Sequence, residues 1–257
     1  MTSLENNEAN MQEMKQVTPE ILDRFATDYY DNADIKDRHL ENLVQIQAVP
    51  KIMQYINLGD RVIEMGFGDG VMTPEFIKNS ITQDIIEGSA ILAKRARERF
   101  PSLKIIHSMF EDFVPEQRYD VVLSFHVLEH VEDVPCLLRH VRKWLKKDGK
   151  IIAIVPNAES IHRQLAVAMG MQGKVEDLSP RDGLVGHLRV YTLDAFKKDF
   201  EDAGFKVESE FGNFIKTVPN SMMLDYPDDL LQALCGLDVL PPHLLANIGV
   251  CARKVGE

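Results

Sequence analysis

The sequence predicts an α/β fold with a doubly wound, seven-stranded sheet that is mostly parallel and has an antiparallel strand at one edge. Two observations predict it. Short β-branched and apolar runs alternate about five times with segments of helical spacing, a pattern typical of a parallel sheet covered on both faces. Two later runs, FKVESEF (205–211) and NIGVCARK (247–254), predict a closing hairpin. A length of 257 residues fits one domain or at most two small ones.

Helical segments precede the sheet. Thr18-Pro19 has the form of an N-cap followed by proline at the first helical position. Apolar residues at helical spacing then run over about 36–56, and Pro50 is expected to bend or divide that helix. Residues 1–16 carry little apolar content and are expected to fray.

The strand and helix patterns follow in order along the chain. Strand-like runs are RVIEMG (61–66), ITQDIIEG (81–88), LKIIH (103–107), YDVVLSF (119–125) and KIIAIVPN (150–157), separated by helix-like segments over 71–78, 89–100 and 134–147. A helix over 158–170, a loop over 171–190 and a helix from Thr192 to Gly204 are expected next.

The connection between the last two strands is long. Residues 213–245 contain four prolines and the helical run DDLLQALCGL. Because hairpin connections are normally much shorter, we expect this segment to be a substrate-side insertion. We therefore divide the chain into a helical lid segment, 1–57, and a main domain, 58–257, and expect both the lid and the insertion to cover the site.

Composition excludes several classes of protein. A net charge of −11 argues against a general nucleic-acid binder, because nothing neutralises a run of phosphates. No stretch approaches the 18 consecutive apolar residues of a membrane span. The first 20 residues lack the basic segment and the apolar segment of a signal peptide. The three cysteines have neither C-x-x-C nor zinc spacing, as expected for thiols in a reducing compartment. A cytoplasmic protein is expected.

A glycine-rich loop gives the strongest functional signal. Glu64-Met-Gly66-Phe-Gly68-Asp-Gly70 follows the first strand and opens a helix, where glycines let the backbone approach a ligand and free N–H groups face an anion. The third glycine comes one residue too early for the dinucleotide fingerprint. Glu87, at the end of the next strand, is placed to accept hydrogen bonds from ribose hydroxyls.

At these residues the sequence resembles the class I S-adenosylmethionine-dependent methyltransferases, over about residues 40–210. The motifs that carry the resemblance are the glycine loop, Glu87, Phe110-Glu111-Asp112, Tyr119-Asp120, His126-Val-Leu-Glu129-His130 and WLKKDGKIIAIVPN. The resemblance implies a Rossmann-like fold, S-adenosylmethionine as the methyl donor and S-adenosylhomocysteine as the product.

The resemblance also implies a set of cofactor-binding residues. They are Glu64, Gly66, Gly68, Gly70, Glu87, Gly88, Met109, Phe110, Glu111 and Ser124. In this family pattern Glu64 supports the glycine loop, Glu87 holds the ribose and the backbone N–H of Phe110 meets the adenine ring. Met109 stands where many relatives have Asp, so Glu111 becomes the candidate for the adenine amine.

Two polar stretches are expected at the carboxyl edge of the sheet, where ligands bind in doubly wound folds. They are Pro156-Asn157-Ala-Glu-Ser-Ile-His162-Arg163 and Gly186-His187-Leu-Arg189-Val-Tyr191. One interpretation is a cationic pocket for an anionic acceptor, with Asn157, Arg163, Arg189 and Tyr191 as substrate-binding residues, because arginine presents a fork to carboxylate or phosphate. The alternative is that these side chains only stabilise the rim loops.

Methyl transfer to an alcohol or acid requires a base, whereas an amine must arrive neutral. His126, His162 and His187 are the candidate bases, and the family pattern places Ser124 and His126 at the junction of cofactor and acceptor. Glu129-His130 occupies the position of a common structural pair and is expected mainly to support its loop. No metal-ligand spacing appears, so no metal is expected, although a site assembled in three dimensions stays open.

The resulting prediction is an O-methyltransferase of a biosynthetic pathway. Its acceptor is expected to be a small, anionic metabolite, sugar derivative or natural-product intermediate, with no nucleic-acid or membrane partner and with homodimerisation left open. Three alternatives remain. They are an N-methyltransferase acting on an amino sugar or amine, a catalytically inactive binding subunit of the same fold, and a dinucleotide-dependent oxidoreductase, which the glycine spacing disfavours.

Overall fold

The structure is a computed structural model that describes residues 17–32 and 35–256. The predicted fraying of residues 1–16, and that part of the predicted lid, lie outside the described residues. Within the described ranges the strands are β1 (Val62–Met65), β2 (Gln83–Glu87), β3 (Ile105–His107), β4 (Tyr119–Phe125), β5 (Leu145–Pro156), β6 (Phe205–Asn213) and β7 (Asn247–Lys254).

These strands form one sheet in the order β3-β2-β1-β4-β5-β7-β6. The strands from β1 to β5 pair in parallel, and β7 runs antiparallel to both β5 and β6. The predicted seven-stranded sheet with antiparallel pairing at one edge is confirmed. The antiparallel strand β7 lies one place in from the edge, between β5 and the edge strand β6. Chain order reverses at β1, between β2 and β4, which opens a crevice beyond their carboxyl ends.

Helices cover both faces of the sheet. They are α1 (Pro19–Asp28), α2 (Arg38–Met53), α3 (Thr73–Lys78), α4 (Ala90–Arg99), α5 (Val134–Val141), α6 (Ile161–Ala168), α7 (Pro180–Leu184), α8 (Leu193–Asp202) and α9 (Asp228–Gly236). The predicted start of α1 is confirmed, because the Thr18 hydroxyl accepts from the Ile21 N–H and Pro19 takes the first helical position. The side chains of Ser89 and Thr192 cap α4 and α8 in the same way.

The order of side chains along the central strands produces two cores. Ile63 and Val122 face a large apolar cluster with α5 and α8, whereas Val62 and Val121 face the cluster formed with α2 and α3. Neighbouring strand residues point to opposite faces, so strands buried on both sides need apolar residues at nearly every position. This explains why their sequences read as continuous apolar runs.

Three local predictions need correction. Pro50 does not divide α2, which continues to Met53; one turn from the helix end, the loss of one backbone N–H is tolerated. Strand β5 begins at Leu145 rather than Lys150, because a bulge around Asp148, with φ of 60°, is accommodated within the strand. The expected loop over 171–190 contains the short helix α7, which Ser179 begins with a capping box.

Two segments outside the central sheet pack together. Leu40 and Val44 of α2 contact Phe214, Met223 and Leu231 of the long connection in one apolar cluster. Both segments contribute side chains to the cavity described below. The division into a lid (1–57) and a main domain (58–257) stays a prediction. In the ranges that the structure describes, no helix is long and apolar enough to cross a membrane.

Candidate functional site

A cavity of about 1910 Å³ opens beyond the carboxyl ends of β1, β2 and β4. Single ligand sites commonly occupy roughly 300–1,000 Å³, so this space can hold two molecules side by side. The glycine loop and the end of β2 line it, together with the segment after β4, α1, α2, α5, α6, α7 and the long connection.

The glycine loop adopts a conformation that other residues would resist. Gly66, Gly68 and Gly70 have φ of 79°, 53° and 58°. A Cβ on Gly70 would lie 2.3 Å from the Phe67 ring, and one on Gly68 would lie 3.1 Å from the Tyr30 hydroxyl. The loop therefore presents bare backbone to the cavity.

Glu87 is the carboxylate that supports this loop. Its Oε2 accepts the Phe67 N–H at 2.8 Å and its Oε1 accepts the Ser89 N–H at 2.7 Å. Burial raises the pKa of Glu87, and these backbone hydrogen bonds oppose the rise. An ionised carboxylate has about four lone-pair sites. Glu87 also lines the cavity, so its remaining acceptor capacity is available to a hydroxyl donor of a ligand.

Glu64 was expected to support the loop, and its contacts are different. It is buried at the end of β1, where its Oε2 accepts from Gln83 at 3.3 Å. Burial raises its pKa to about 7. Glu64 also lines the cavity, so a bound cation would restore its charge. The expected loop-supporting role belongs to Glu87 instead.

The remaining predicted cofactor residues divide into two groups. Gly88, Met109, Phe110 and Glu111 line the cavity next to Glu87. A Cβ on Gly88 would lie 2.6 Å from Leu22 of α1 and 3.0 Å from the Met109 sulfur. Ser124, by contrast, is a fully buried residue of β4 and is absent from the cavity lining in the described ranges.

The N-terminal helices are attached to this end of the cavity. Asp23 of α1 accepts from the Ser89 hydroxyl at 2.6 Å and from the Ile91 N–H at 3.2 Å. Arg38 of α2 forms an ion pair with Asp69 of the glycine loop. The side chains of Asp23 and Arg38 thus connect the predicted lid to the start of α4 and to the glycine loop.

Arg163 does not present its guanidinium to an acceptor. It is 6% exposed, and its Nη2 lies 2.5 Å from Asp182 Oδ2 while its Nη1 donates to the Asp177 carbonyl at 2.9 Å. Asp182 in turn contacts His187 Nδ1 at 2.8 Å. Burial acts to raise the pKa of Asp182, but His187, Ser179 and Arg163 lower it below its ordinary value.

The other predicted acceptor residues also make contacts within the rim loops. Arg189 donates to the carbonyls of Val131 and Glu132, and the Tyr191 hydroxyl donates to Asp199. The amide of Asn157 donates to two carbonyls of the long connection. The contacts of these three residues and of Arg163 are therefore to backbone and carboxylate acceptors of the protein, although Asn157 and Arg163 also line the cavity.

Lys216, which the sequence analysis missed, is one of the cations that line the cavity. It lines the cavity, is partly buried, and makes no ion pair or hydrogen bond with any residue of 17–32 or 35–256. Burial lowers its pKa to about 8. Nothing in the run FIKTVPN marks this lysine in the sequence, because its position depends on the path of the long connection.

His162 lies close enough to Lys216 and Arg163 to respond to their charges. Burial, followed by Lys216 and Arg163, lowers its pKa to about 3. Its Nδ1 is buried without a hydrogen-bond partner in the described ranges. His162 is therefore neutral at pH 7 and a weak proton acceptor, which argues against it as the base.

Three other histidines surround a buried carboxylate. His126, with φ of 54° just after β4, places Nδ1 3.4 Å from Glu129 Oε1. His187 Nε2 lies 3.9 Å from the same oxygen, and the His130 and His187 rings are 4.9 Å apart. Burial acts to raise the pKa of Glu129, but the three histidines lower it below its ordinary value. This cluster could not be predicted from residue spacing, because His187 lies in a loop that is distant in the sequence from His126, Glu129 and His130.

Comparison with known proteins agrees with the geometry. A family model described as a methyltransferase domain matches residues 36–210. A highly reducing polyketide synthase of Emericella nidulans is 25% identical over 239 residues, covering 77% of this chain and 9% of that protein. A malonyl-[acyl-carrier protein] O-methyltransferase of Ilyobacter polytropus is 25% identical over 127 residues, covering 48% of this chain and 46% of the relative.

A solved structure shows the same fold. It is a SAM-dependent methyltransferase of Thermotoga maritima, described as a possible histamine N-methyltransferase. The TM-score is 0.60 at 15% identity, with 91% of this chain and 100% of that chain covered. The present chain spans less than two thirds of the length of the curated relatives that it matches.

Proposed function

Because this chain belongs to the methyltransferase-domain family, whose cofactor is S-adenosylmethionine, we propose that it transfers a methyl group from that cofactor to an oxygen of a small anionic metabolite. One observation carries the proposal. Three glycines of positive φ and the buried carboxylate of Glu87 line one cavity that is large enough for cofactor and acceptor together.

The residues present fit this cofactor. Glu87 would accept from the ribose hydroxyls, the bare backbone of Gly66 and Gly68 would lie against the methionine part, and Met109 and Phe110 would border the adenine. Glu64 adds an independent match, because a carboxyl whose pKa is raised to about 7 by burial gains from a neighbouring cation. S-adenosylmethionine carries positive charge on its sulfonium and ammonium groups.

When bound, the cofactor supplies an electrophilic methyl group for in-line displacement. The chain's own contribution is alignment, exclusion of water and removal of the acceptor proton. We assign the proton-accepting role to His126, which lines the cavity just beyond β4. His187 comes from the loop after α7 rather than from the end of β4, and His162 is too weak a base.

The acceptor end of the cavity suits an amphipathic molecule. Lys216 offers a cation, whereas the wall is lined by large apolar side chains from α6 and the turn after it, from α7 and from the long connection. They are Leu165, Met169, Met171, Leu184, Met222 and Leu224, each of which is also partly open to solvent. These observations favour an anionic natural-product intermediate over a sugar derivative.

Oxygen is proposed over nitrogen for two reasons. The curated relative from Ilyobacter polytropus is an O-methyltransferase. The cavity also contains histidines around a charged carboxylate, which suits an acceptor that must lose a proton. N-methylation of an amine remains the alternative.

Methyl transfer can be tested before the acceptor has been identified. The protein is incubated with S-adenosylmethionine labelled in its methyl group and with fractions of an anionic metabolite extract. We expect the label in one small-molecule product, as a methoxy group or methyl ester by NMR, and about 10²- to 10⁴-fold less product with His126→Gln. Label on nitrogen would select the alternative, and absence of any product would favour the inactive binding subunit.

Lys216 makes a pH-dependent prediction for that acceptor. Because its pKa is about 8 in the free enzyme, the Lys216 side chain is a charged ammonium group below pH 8 and a neutral amine above it. The kcat/KM for the anionic acceptor should therefore fall as pH rises through about 8. Lys216→Met should lower kcat/KM about 10- to 100-fold at pH 7 by removing one charged contact, and should abolish this fall.

Lys147→Met provides the control, because Lys147 is exposed and lies outside the cavity lining in the described ranges. It should keep the wild-type profile. A fall in kcat/KM near pH 8 that persists in Lys216→Met would contradict the assignment.

A further inference from the structure

The cluster around Glu129 has the features of a metal site. We propose that Glu129, His130 and His187 bind one divalent transition-metal ion, whose open position takes an oxygen of the acceptor. The metal site stands on its own geometry, whereas the role toward the acceptor rests on the proposed function.

The ligand atoms are already close together. One oxygen of Glu129 and one nitrogen each of His130 and His187 lie within 4.8 Å of one another. His187 Nε2 is 3.9 Å from Glu129 Oε1. At the tetrahedral angle, two metal–ligand bonds of about 2.0–2.2 Å place their ligand atoms about 3.4 Å apart, so a bound ion would draw the three side chains together by up to about 1.5 Å.

Both histidines are oriented as metal ligands usually are. His187 Nδ1 pairs with Asp182 Oδ1 at 2.8 Å, and His130 Nδ1 pairs with the Gly186 carbonyl at 3.1 Å. Each ring therefore donates through Nδ1 and leaves Nε2 as an acceptor for a metal. A carboxylate or a carbonyl behind the ligating imidazole fixes its tautomer and raises its basicity.

Glu129 supplies the second, independent observation. It is 0% exposed, and within the described ranges its carboxylate oxygens make no hydrogen bond of normal geometry; the His126 Nδ1 is 3.4 Å from Oε1. A buried charge with so little compensation is costly unless a cation lies beside it. A metal ion at the three ligand atoms would compensate Glu129.

The ligand set indicates the kind of ion. Two imidazoles and one carboxylate suit Zn²⁺, Fe²⁺ or Co²⁺ better than Mg²⁺, which prefers oxygen ligands. Three protein ligands leave at least one open position, as in catalytic rather than structural zinc sites.

The open position has a consequence for the acceptor. His130 and His187 line the cavity, so an oxygen of the bound acceptor can reach the ion. A coordinated hydroxyl has a lowered pKa and is held in place, which would assist transfer of its proton to His126. Arg163 also supports this site indirectly. Its guanidinium pairs with Asp182, and Asp182 in turn contacts Nδ1 of the proposed ligand His187.

The test uses the full chain after dialysis against a chelator. Titration calorimetry with Zn²⁺ alone should show one site per chain, and Co²⁺ should give visible absorption bands of a mixed nitrogen–oxygen site. Glu129→Gln and His187→Gln should each weaken Zn²⁺ binding by more than about 100-fold, since each removes a ligand. His243→Gln, at an exposed histidine outside the cavity lining of the described ranges, should bind Zn²⁺ as the wild type does.

Cofactor binding is measured on the same metal-free samples by thermal melting. A melting shift with S-adenosylmethionine but no Zn²⁺ binding would overturn the metal site alone and leave Glu129 paired with an imidazolium. Zn²⁺ binding without a cofactor shift would support the metal site and count against the proposed methyl donor. Zn²⁺ affinity that is equal in the wild type and both ligand variants would overturn the site. If Glu129→Gln fails to fold, His130→Gln replaces it with the same expectation.

Discussion

Replacing Arg163 by methionine should lower the free energy of unfolding by about 3–5 kcal/mol, because it leaves the buried Asp182 carboxylate without its guanidinium partner. The two side chains are 8% and 7% exposed and lie 2.5 Å apart, so solvent cannot replace the lost contact. For a chain of this size the loss corresponds to a fall in melting temperature of roughly 6–20 °C.

Arg189→Met is the matched comparison for this variant. Arg189 donates to two backbone carbonyls and holds no buried carboxylate, so its loss should cost about 1–2 kcal/mol. Thermal and urea unfolding measure both variants. An unchanged melting temperature in Arg163→Met, together with a raised KM for the acceptor, would restore the anion-clamp interpretation and contradict the observed contacts of Arg163.

Replacing Glu87 by alanine should weaken S-adenosylmethionine binding about 10²- to 10⁴-fold, since two charge-assisted hydrogen bonds of about 1.5–3 kcal/mol each are lost. In the wild type, cofactor at about 100 times its Kd should add about 2.7 kcal/mol to the free energy of unfolding, or roughly 5–10 °C in melting temperature. That shift should vanish in Glu87→Ala at the same cofactor concentration.

Thermal unfolding without cofactor measures how much Glu87 stabilises the glycine loop, separately from its contribution to cofactor binding. Glu87 also accepts the N–H groups of Phe67 and Ser89, so Glu87→Ala should be less stable even without ligand. Calorimetry at a temperature where the variant is folded isolates the affinity. Glu116→Ala removes an exposed carboxylate outside the cavity lining of the described ranges and should change neither quantity. Wild-type affinity in Glu87→Ala would mean that the ribose binds elsewhere.

Most elements of the fold could be predicted from the sequence because their signals are local. The strand 119–125 and the caps at Thr18, Ser89 and Thr192 depend on residues a few positions apart. The errors arose where distant contacts outweighed local preference. Pairing of Leu145 with Tyr119 extends β5 across the Asp148 bulge, although Asp148-Gly149 reads as a turn.

The candidate site shows the same division. Glu64, the three glycines and Glu87 could be predicted, since strand ends and glycine spacing place them. The partners of Arg163, Arg189 and Tyr191 could not be predicted. The sequence does not distinguish a polar side chain that binds a ligand from one that contacts a carbonyl or carboxylate of the protein. Lys216 was missed because no local pattern distinguishes a lysine that faces a cavity.

The sequence by itself determined the α/β class, the order of strands along the chain and the glycine loop beside Glu87. These depend on side-chain periodicity and backbone freedom, which act over a few residues. Only the tertiary structure decided that Glu129, His130 and His187 meet, and that Arg163 at the cavity wall pairs with Asp182 whereas Lys216 forms no ion pair with a described residue. The physical reason is that their loops come together only when the sheet and the helices around it have packed, and burial then determines which charges keep a partner.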